Sequence, residues 1–227
     1  FREAPGIKAL VIRVNSPGGG VGPSQEIYRE ISKTRQKKIV VASLGSVAAS
    51  GGYYIASAAD KIVANPGTIT GSIGVVMEYA NIRKIVEKIG LIPVIIKSGE
   101  FKDIGSPVRE ITDKEREILQ NVVDELHRQF IEDAARGRDM DVRNVDALAD
   151  GRIYTGKKAM ELNLIDKLGN FEDSVALAGS LAGIPGEIKP VYPKKDKLTV
   201  IKRLTRSLLK DLNVSGTVSD NFRYIAD

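Results

Sequence analysis

Ser50 is the residue of this sequence whose surroundings best suit a nucleophile. The β-branched apolar run at 38–42, which leads to Gly45, predicts a buried strand. From Tyr53 onward the apolar residues recur at helical spacing, so Ser50 should lie on a tight turn between a strand end and a helix start. A helix N-terminus offers free N–H groups and a positive dipole end, which favour a developing negative charge. The position equally suits a helix N-cap serine, and this stretch alone leaves both interpretations open.

The composition restricts the base that could activate Ser50. The sequence has no cysteine, which excludes a thiol nucleophile, disulfides and cysteine-based zinc sites. Its one histidine, His127, lies inside a long helical pattern and is expected to be a helix-surface or boundary residue without partners for a metal site. We therefore expect a lysine or a carboxylate as the base, and neither a metal nor a cofactor.

Lys102 is the best candidate for that base, since it stands in a loop of small residues just past a predicted strand. A lysine acts as a base only when it is neutral, so its pKa must fall from about 10.4 toward about 7 or 8. Burial in an apolar site could lower the pKa, and Ser72, flanked by glycines, could orient the amine. Most loop lysines are solvated charges, so the residues alone also allow that alternative.

A glycine-rich turn at 15–20 joins a predicted strand at 7–14 to a predicted helix at 23–34. Such turns bind anions through backbone N–H groups. The dinucleotide pattern G-x-G-x-x-G fails because Pro23 takes the place of its third glycine, and the P-loop pattern does not occur at this turn. The turn is therefore predicted to be a donor loop for a single oxyanion or a merely structural turn.

Alternating strand and helix patterns predict an α/β fold with a mostly parallel sheet. The 227 residues, 42% of them hydrophobic, suffice for a sizeable core. The remaining predicted segments are strands at 60–64 and 92–97, a buried apolar segment at 68–77, and helices at 81–88, from a capping box at 112–115 to Gly137, and at 171–182.

The predicted domain organisation is one domain over residues 1–185 and a C-terminal extension over 186–227. Within the extension, residues 198–212 form a basic amphipathic pattern that suits an anionic membrane, a partner subunit or the chain's own domain. The net charge of +5 is only mildly basic, and because only a clustered patch would argue for nucleic acid, we expect no nucleic-acid partner. No stretch approaches the roughly 20 apolar residues of a membrane span. Because the chain opens on Phe1 rather than Met, we expect a fragment whose upstream segment is absent.

Four motifs, in this order along the chain, resemble those of the bacterial signal peptide peptidase A family. They occupy residues 15–20, 45–54, 70–74 and 98–103. The resemblance implies a ClpP/crotonase-type fold and a Ser-Lys dyad, with Ser50 as the nucleophile and Lys102 as the general base. It further implies Ser72 as the hydroxyl that orients the lysine, and the backbone N–H groups of Gly19 and Gly51 as the oxyanion donors.

This resemblance covers about residues 7–180 and implies a setting as well. Family members degrade signal peptides left in the membrane, so we expect apolar peptide substrates of that kind. Family members also carry an N-terminal membrane anchor and an early strand, and neither is visible in this sequence. The resemblance therefore implies a location at the bacterial cytoplasmic membrane, with the catalytic domain on the outer face. The family includes doubled chains in which one repeat supplies the lysine and the other the serine. We therefore expect a homo-oligomeric ring whose active site is shared between subunits.

Two other functions stay open on the sequence. A non-catalytic crotonase-fold scaffold protein would keep the turns without the chemistry, and a crotonase-type acyl-CoA enzyme would share the oxyanion turns but usually lacks a dyad. The presence of both Ser50 and Lys102 favours the peptidase. The apolar residues near the predicted site indicate a pocket for small or aliphatic side chains; they are Val47, Ile55, Val75 and Val76.

Overall fold

The centre of the fold is a six-stranded sheet, seen in a computed structural model that describes residues 1–192. Its strands are β1 (Ala9–Ser16), β2 (Ile39–Ala49), β3 (Lys61–Ala64), β4 (Ile69–Gly71), β5 (Ile153–Thr155) and β6 (Lys167–Leu168). They lie in the order β5-β4-β2-β3-β6, and β1 pairs with β2. Every pairing is parallel except that of β4 with β5. The structure thus confirms the predicted α/β class with a mostly parallel sheet.

The helices of the described residues connect and cover these strands. They are α1 (Val21–Arg35), α2 (Gly51–Ser57), α3 (Arg83–Lys88), α4 (Asp113–Arg138), α5 (Val142–Asp146), α6 (Gly156–Glu161) and α7 (Phe171–Leu181). Helix α7 packs on β1 and β2, and α2 packs between α1 and α4. The predicted capping box opens α4, because Thr112 and Glu115 each accept the other's backbone N–H.

Strand β2 aligns the turns that matter for function. It is buried on both faces, as is usual for a central parallel strand, and Val40, Val41 and Leu44 have no exposed surface. Its residues 39–44 pair in parallel with β1, and its residues 47–49 pair in parallel with β4. The carboxyl ends of β1, β2 and β4 therefore meet at one edge of the sheet, which is where open α/β sheets bind their ligands.

The predicted strand at 92–97 is wrong. The segment has no strand structure, and Ile92, Val94 and Ile96 are 87%, 82% and 96% exposed. Its β-branched sequence has strand character, but none of the strands in the described part of the chain lies beside it to complete a hydrogen-bond ladder. The buried segment predicted at 68–77 is correct only as far as Ile73, because Val76 and Met77 are exposed.

The structure also bears on the predicted start of α3, on the division into domains and on membrane-spanning helices. The N-cap of α3 is Ile82 rather than the predicted Asn81, so the helix begins one residue later, although the Asn81 Oδ1 accepts the N–H of Arg83 at 3.0 Å. Residues Phe1–Ile188 form one compact unit and Lys189–Asp227 a second, of which only 189–192 are described. The domain boundary and the helix at 198–212, which lies outside the described residues, stay predictions. Among residues 1–192, no helix has the length and apolar character needed to cross a bilayer.

Candidate active site

Ser50 lies on a strained turn between β2 and α2. Its φ of 52° and ψ of −123° fall in a region that residues with a side chain rarely occupy. Its N–H donates to the carbonyl of Gly71 at 2.8 Å, and its carbonyl accepts the N–H of Tyr54 at 2.9 Å. Its hydroxyl makes no cap hydrogen bond to α2. Ser50 therefore occupies the N-cap position without capping α2 through its side chain, and its hydroxyl has no hydrogen-bond partner among residues 1–192.

The glycine-rich turn packs directly against Ser50. A Cβ added to Gly18, whose φ is +119°, would lie 2.9 Å from the Ser50 Cβ. A Cβ on Gly51 would lie 2.5 Å from the Ser24 Oγ and 3.2 Å from the Gly19 nitrogen. Only residues without a side chain allow this approach, so the glycines at the two turns let the loop after β1 close on the serine.

Gly19 and Gly51 lie on the two turns that meet at Ser50. Gly51 is the first residue of α2, so its N–H has no acceptor within the helix. The N–H of Gly19 has no acceptor among residues 1–192. Two free donors on neighbouring turns next to a serine are the components of an oxyanion hole. The assignment of these two residues as the oxyanion donors remains a prediction that this placement supports.

The sheet register brings Ser72 next to Ser50. Ala49 and Gly71 are paired across β2 and β4, so the residues that follow them leave the two strands side by side. The N–H of Ser72 donates to the carbonyl of Arg152 at 2.8 Å, and its φ of 50° is again positive. The backbone therefore places two of the three predicted catalytic residues at one edge of the sheet.

A small cavity opens beside Ser50. Its lining residues are Gly19, Val21, Ser24, Ser50, Gly51, Tyr54, Gly74, Val75 and Phe130. Of the four apolar residues predicted near the site, only Val75 lines it. Tyr54 stacks on Phe130 with 4.4 Å between ring centroids, and its hydroxyl donates to Asp133. Burial, together with that hydrogen bond, raises the pKa of the Tyr54 phenol, so it stays neutral and is not a base.

Sequence reasoning missed the aromatic wall of this cavity. Tyr54 lies one helical turn after Ser50, and Phe130 belongs to the apolar face of the long helix α4. The spacing of Tyr54 from Ser50 was a usable signal, because residues four apart in a helix share a face. The contact with Phe130 depends on how α4 packs against α2, which the sequence pattern does not specify.

Lys102 lies elsewhere in the single chain. It is exposed on a loop of successive turns, it is not among the residues that line the cavity, and no hydrogen bond joins it to Ser50. His127, on α4, is partly exposed and does not line the cavity either; its Nε2 is buried with no partner in the described residues. One chain therefore brings together the residues predicted as nucleophile, hydroxyl neighbour and oxyanion donors, and the predicted base is not among the residues that line their cavity.

A free serine on a strained strand-to-helix turn, facing a glycine turn with unpaired N–H groups, is the construction of an α/β serine hydrolase. The chain belongs to peptidase family S49, because the sequence-family model described as "Peptidase family S49" matches residues 32–185. This confirms the family resemblance and the predicted enzyme class, a serine peptidase. It also favours a peptidase over the acyl-CoA enzyme and over the scaffold.

Individual relatives agree with the family. "Putative protease slr0021" from Synechocystis sp. is 45% identical over 197 residues, covering 87% of this chain and 71% of that protein. "Putative signal peptide peptidase SppA" from Enterococcus faecium is 40% identical over 176 residues, covering 77% of this chain and 51% of that protein. Among solved structures, a ClpP1 mutant from Listeria monocytogenes matches with a TM-score of 0.48 and 16% identity over 74% of this chain and 77% of that one.

Proposed function

We propose that this chain is the catalytic part of a serine endopeptidase that hydrolyses apolar peptides with a dyad of Ser50 and Lys102. The observation that carries the proposal is the unbonded Ser50 hydroxyl on a strained turn beside the free N–H groups of Gly19 and Gly51. Composition supports a lysine as the base, since the chain has no cysteine and its one histidine does not line the cavity.

In the proposed mechanism the neutral Lys102 Nζ removes the proton from the Ser50 Oγ as that oxygen attacks the scissile carbonyl. The carbonyl oxygen becomes an oxyanion, which the N–H groups of Gly19 and Gly51 stabilise. The protonated lysine then passes its proton to the leaving amine, and water hydrolyses the acyl-enzyme by the same steps. The hydroxyl of Ser72 orients the lysine; the pairing of Ala49 with Gly71, which puts Ser50 and Ser72 at the ends of adjacent strands, supports this role.

The exposed position of Lys102 supports an active site completed by a second copy of the chain. A lysine acts as a base only when it is neutral, and packing into a neighbouring subunit's site would supply the desolvation that favours the neutral amine. Apolar residues of the segment 76–97, which precedes the lysine loop, are also uncovered in the single chain, with Ile92 and Ile96 nearly fully exposed. Identical contacts of this kind, repeated around an axis, close a homo-oligomeric ring.

The proposed substrates are signal-peptide remnants at the bacterial cytoplasmic membrane. The cavity beside Ser50 is narrow and lined by valines, aromatic rings and glycines, which suits small or aliphatic side chains and disfavours charged ones. The relative from Enterococcus faecium is named a signal peptide peptidase. We further propose that an anchor upstream of the chain holds the catalytic domain at the outer face of the membrane.

A serine-reactive phosphonate probe tests the nucleophile. Wild-type protein should be labelled, Ser50→Ala should not, and Ser46→Ala, which removes an exposed hydroxyl from the same strand, should be labelled like wild type. Melting temperatures of the three proteins would show that the fold is kept. Labelling of Ser50→Ala equal to that of wild type would contradict the proposal.

A further inference from the structure

Arg109 joins the loop that carries Lys102 to the start of α4. Its Nε donates to the Asp103 Oδ2 at 2.7 Å, and its Nη2 donates to the Asp103 carbonyl at 3.1 Å. Its Nη1 donates to the Glu115 Oε2 at 2.8 Å, and its Nη2 donates to the other carboxylate oxygen of Glu115. Asp103 directly follows Lys102, and Glu115 lies in the first turn of α4. One guanidinium group therefore connects the residue next to the proposed base with a helix.

The carboxylates that Arg109 binds are well covered and ionised. The Asp103 side chain is 12% exposed and that of Glu115 only 4%. Their hydrogen bonds to Arg109 hold the pKa of both groups below the usual range, that of Glu115 at about 2. Both carboxylates therefore remain charged over the whole pH range in which a lysine base could work, and the connection persists there.

The backbone around Lys102 is fixed although its side chain is free. The N–H of Lys102 donates to the Gly99 carbonyl at 3.2 Å, and the Asp103 carbonyl accepts the N–H of Ser106 at 3.0 Å. Lys97 donates to the second Asp103 carboxylate oxygen at 2.6 Å. Within residues 1–192 the Lys102 ammonium itself has no hydrogen bond or ion pair, so none of this order comes from the lysine side chain.

We propose that Arg109 is a positioning residue, which holds the backbone of Lys102 at a set place relative to α4 so that the lysine is presented to Ser50. The inference rests on the proposed function, because it requires Lys102 to be the base. Arg109 acts only through Asp103 and Lys102 and lines no part of the cavity at Ser50. An arginine suits this role because its planar fork binds two carboxylates at once, which the single ammonium of a lysine does not reproduce.

The test uses two variants of the full chain that weaken the same connection with opposite changes of charge. Arg109→Ala removes a positive charge, and Asp103→Asn removes a negative one while keeping the pair of Arg109 with Glu115. If Arg109 positions Lys102, both variants should have a kcat about 10- to 100-fold below that of wild type and a nearly unchanged KM. Arg143→Ala, which breaks an exposed arginine–carboxylate pair with Asp141, serves as the matched control and should keep the wild-type kcat.

An effect of the Arg109 charge and an effect of Arg109 on the position of Lys102 would change the pH profile of kcat/KM in different ways. If Arg109 acted only through its charge, the pH midpoint of kcat/KM would move up in Arg109→Ala and down in Asp103→Asn, with the plateau kcat unchanged. That result would overturn the inference. A loss of kcat that merely follows unfolding or dissociation of the assembly, measured by melting temperature and by native mass, would also overturn it. Should Arg109→Ala fail to fold, Asp103→Asn decides, because it retains the contact at the start of α4.

Failure of this inference is distinguishable from failure of the proposed function. Wild-type kcat in both variants, with Lys102→Ala inactive, would overturn the positioning role and leave the dyad standing. Appreciable kcat in Lys102→Ala would overturn the dyad itself, and the positioning role with it.

Discussion

At the scale of single residues, the backbone of Ser50 is the most informative feature. A serine with a φ of 52° and a ψ of −123° is held against its own preference, and such strain persists only where the surrounding structure enforces it. Here the enforcing contacts are the hydrogen bond from Ser50 to Gly71 and the close packing of Gly18 on its Cβ. These contacts fix the backbone of Ser50 in the free protein, which supports the proposal that the site is preorganised.

Acid should weaken the anchoring of the Lys102 loop. The hydrogen bond from Arg109 lowers the pKa of Glu115 from 4.5 to about 2, so the stabilisation it gives is complete above pH 4.5 and is lost as the pH falls toward 2. The free energy of unfolding of wild type should thus exceed that of Glu115→Gln at neutral pH, and the difference should shrink across this window. Glutamine is a suitable control because it still fits the capping box with Thr112. Urea unfolding between pH 2.5 and pH 7 measures the difference; a constant difference would contradict the assignment.

Three residues show how much of the candidate site could be predicted from the sequence. The small residues around Ser50 identified the turn, but only its unbonded hydroxyl and its dihedral angles distinguish a nucleophile from an N-cap. Lys102 could be predicted from elimination and from the family resemblance, since its exposed surroundings in the single chain carry no mark of a base. The sequence does not indicate a role for Arg109, because that role depends on simultaneous contacts with Asp103 and Glu115, which sequence patterns do not predict.

At the scale of elements, parallel pairing places the functional turns together. The strands β1, β2 and β4 run in the same direction, so the loop of Gly19, the turn of Ser50 and Ser72 follow their carboxyl ends at one edge. Glycines then set how closely α2 approaches β1, because a Cβ on Gly52 would lie 2.8 Å from the Ser16 carbonyl oxygen. Register and glycine spacing jointly determine the geometry of the site.

Gly52→Ala should therefore damage both stability and activity. The added methyl group meets backbone rather than a flexible side chain, so α2 must shift, at a cost of about 1–3 kcal/mol in the free energy of unfolding. The shift also moves Ser50 relative to Gly19 and should lower kcat/KM. Gly22→Ala is a matched control, since Gly22 is likewise the second residue of its helix but has no atom within 4 Å of the added Cβ. Urea unfolding and peptide hydrolysis measure both variants; equal stability of the two would contradict the packing described.

The elements explain why the fold was largely predictable and the segment 92–97 was not. Buried strands such as β2 have continuous apolar runs and are covered by neighbours in the same chain, so pattern and structure agree. The run at 92–97 has the same β-branched character, yet nothing in residues 1–192 covers it. Hydrophobic periodicity predicts that a segment will be buried. It does not predict whether the same chain or another molecule packs against that segment.

At the scale of the whole molecule, two observations on the single chain have one explanation. The predicted base lies outside the cavity of its own serine, and apolar residues of 76–97 are left uncovered a few residues before it along the chain. A neighbouring copy would cover the apolar segment and receive the lysine in its own site. The isolated chain should then be inactive, and the assembled protein active.

Mixing two inactive variants tests this account most directly. Ser50→Ala and Lys102→Ala are combined under conditions that allow subunits to exchange, and peptide hydrolysis is followed against each variant alone. If the dyad spans an interface, about a quarter of all sites at equal amounts receive both an intact Ser50 and an intact Lys102, and a corresponding share of the wild-type activity returns. No activity at any mixing ratio, with exchange verified by native mass, would contradict a dyad shared between subunits.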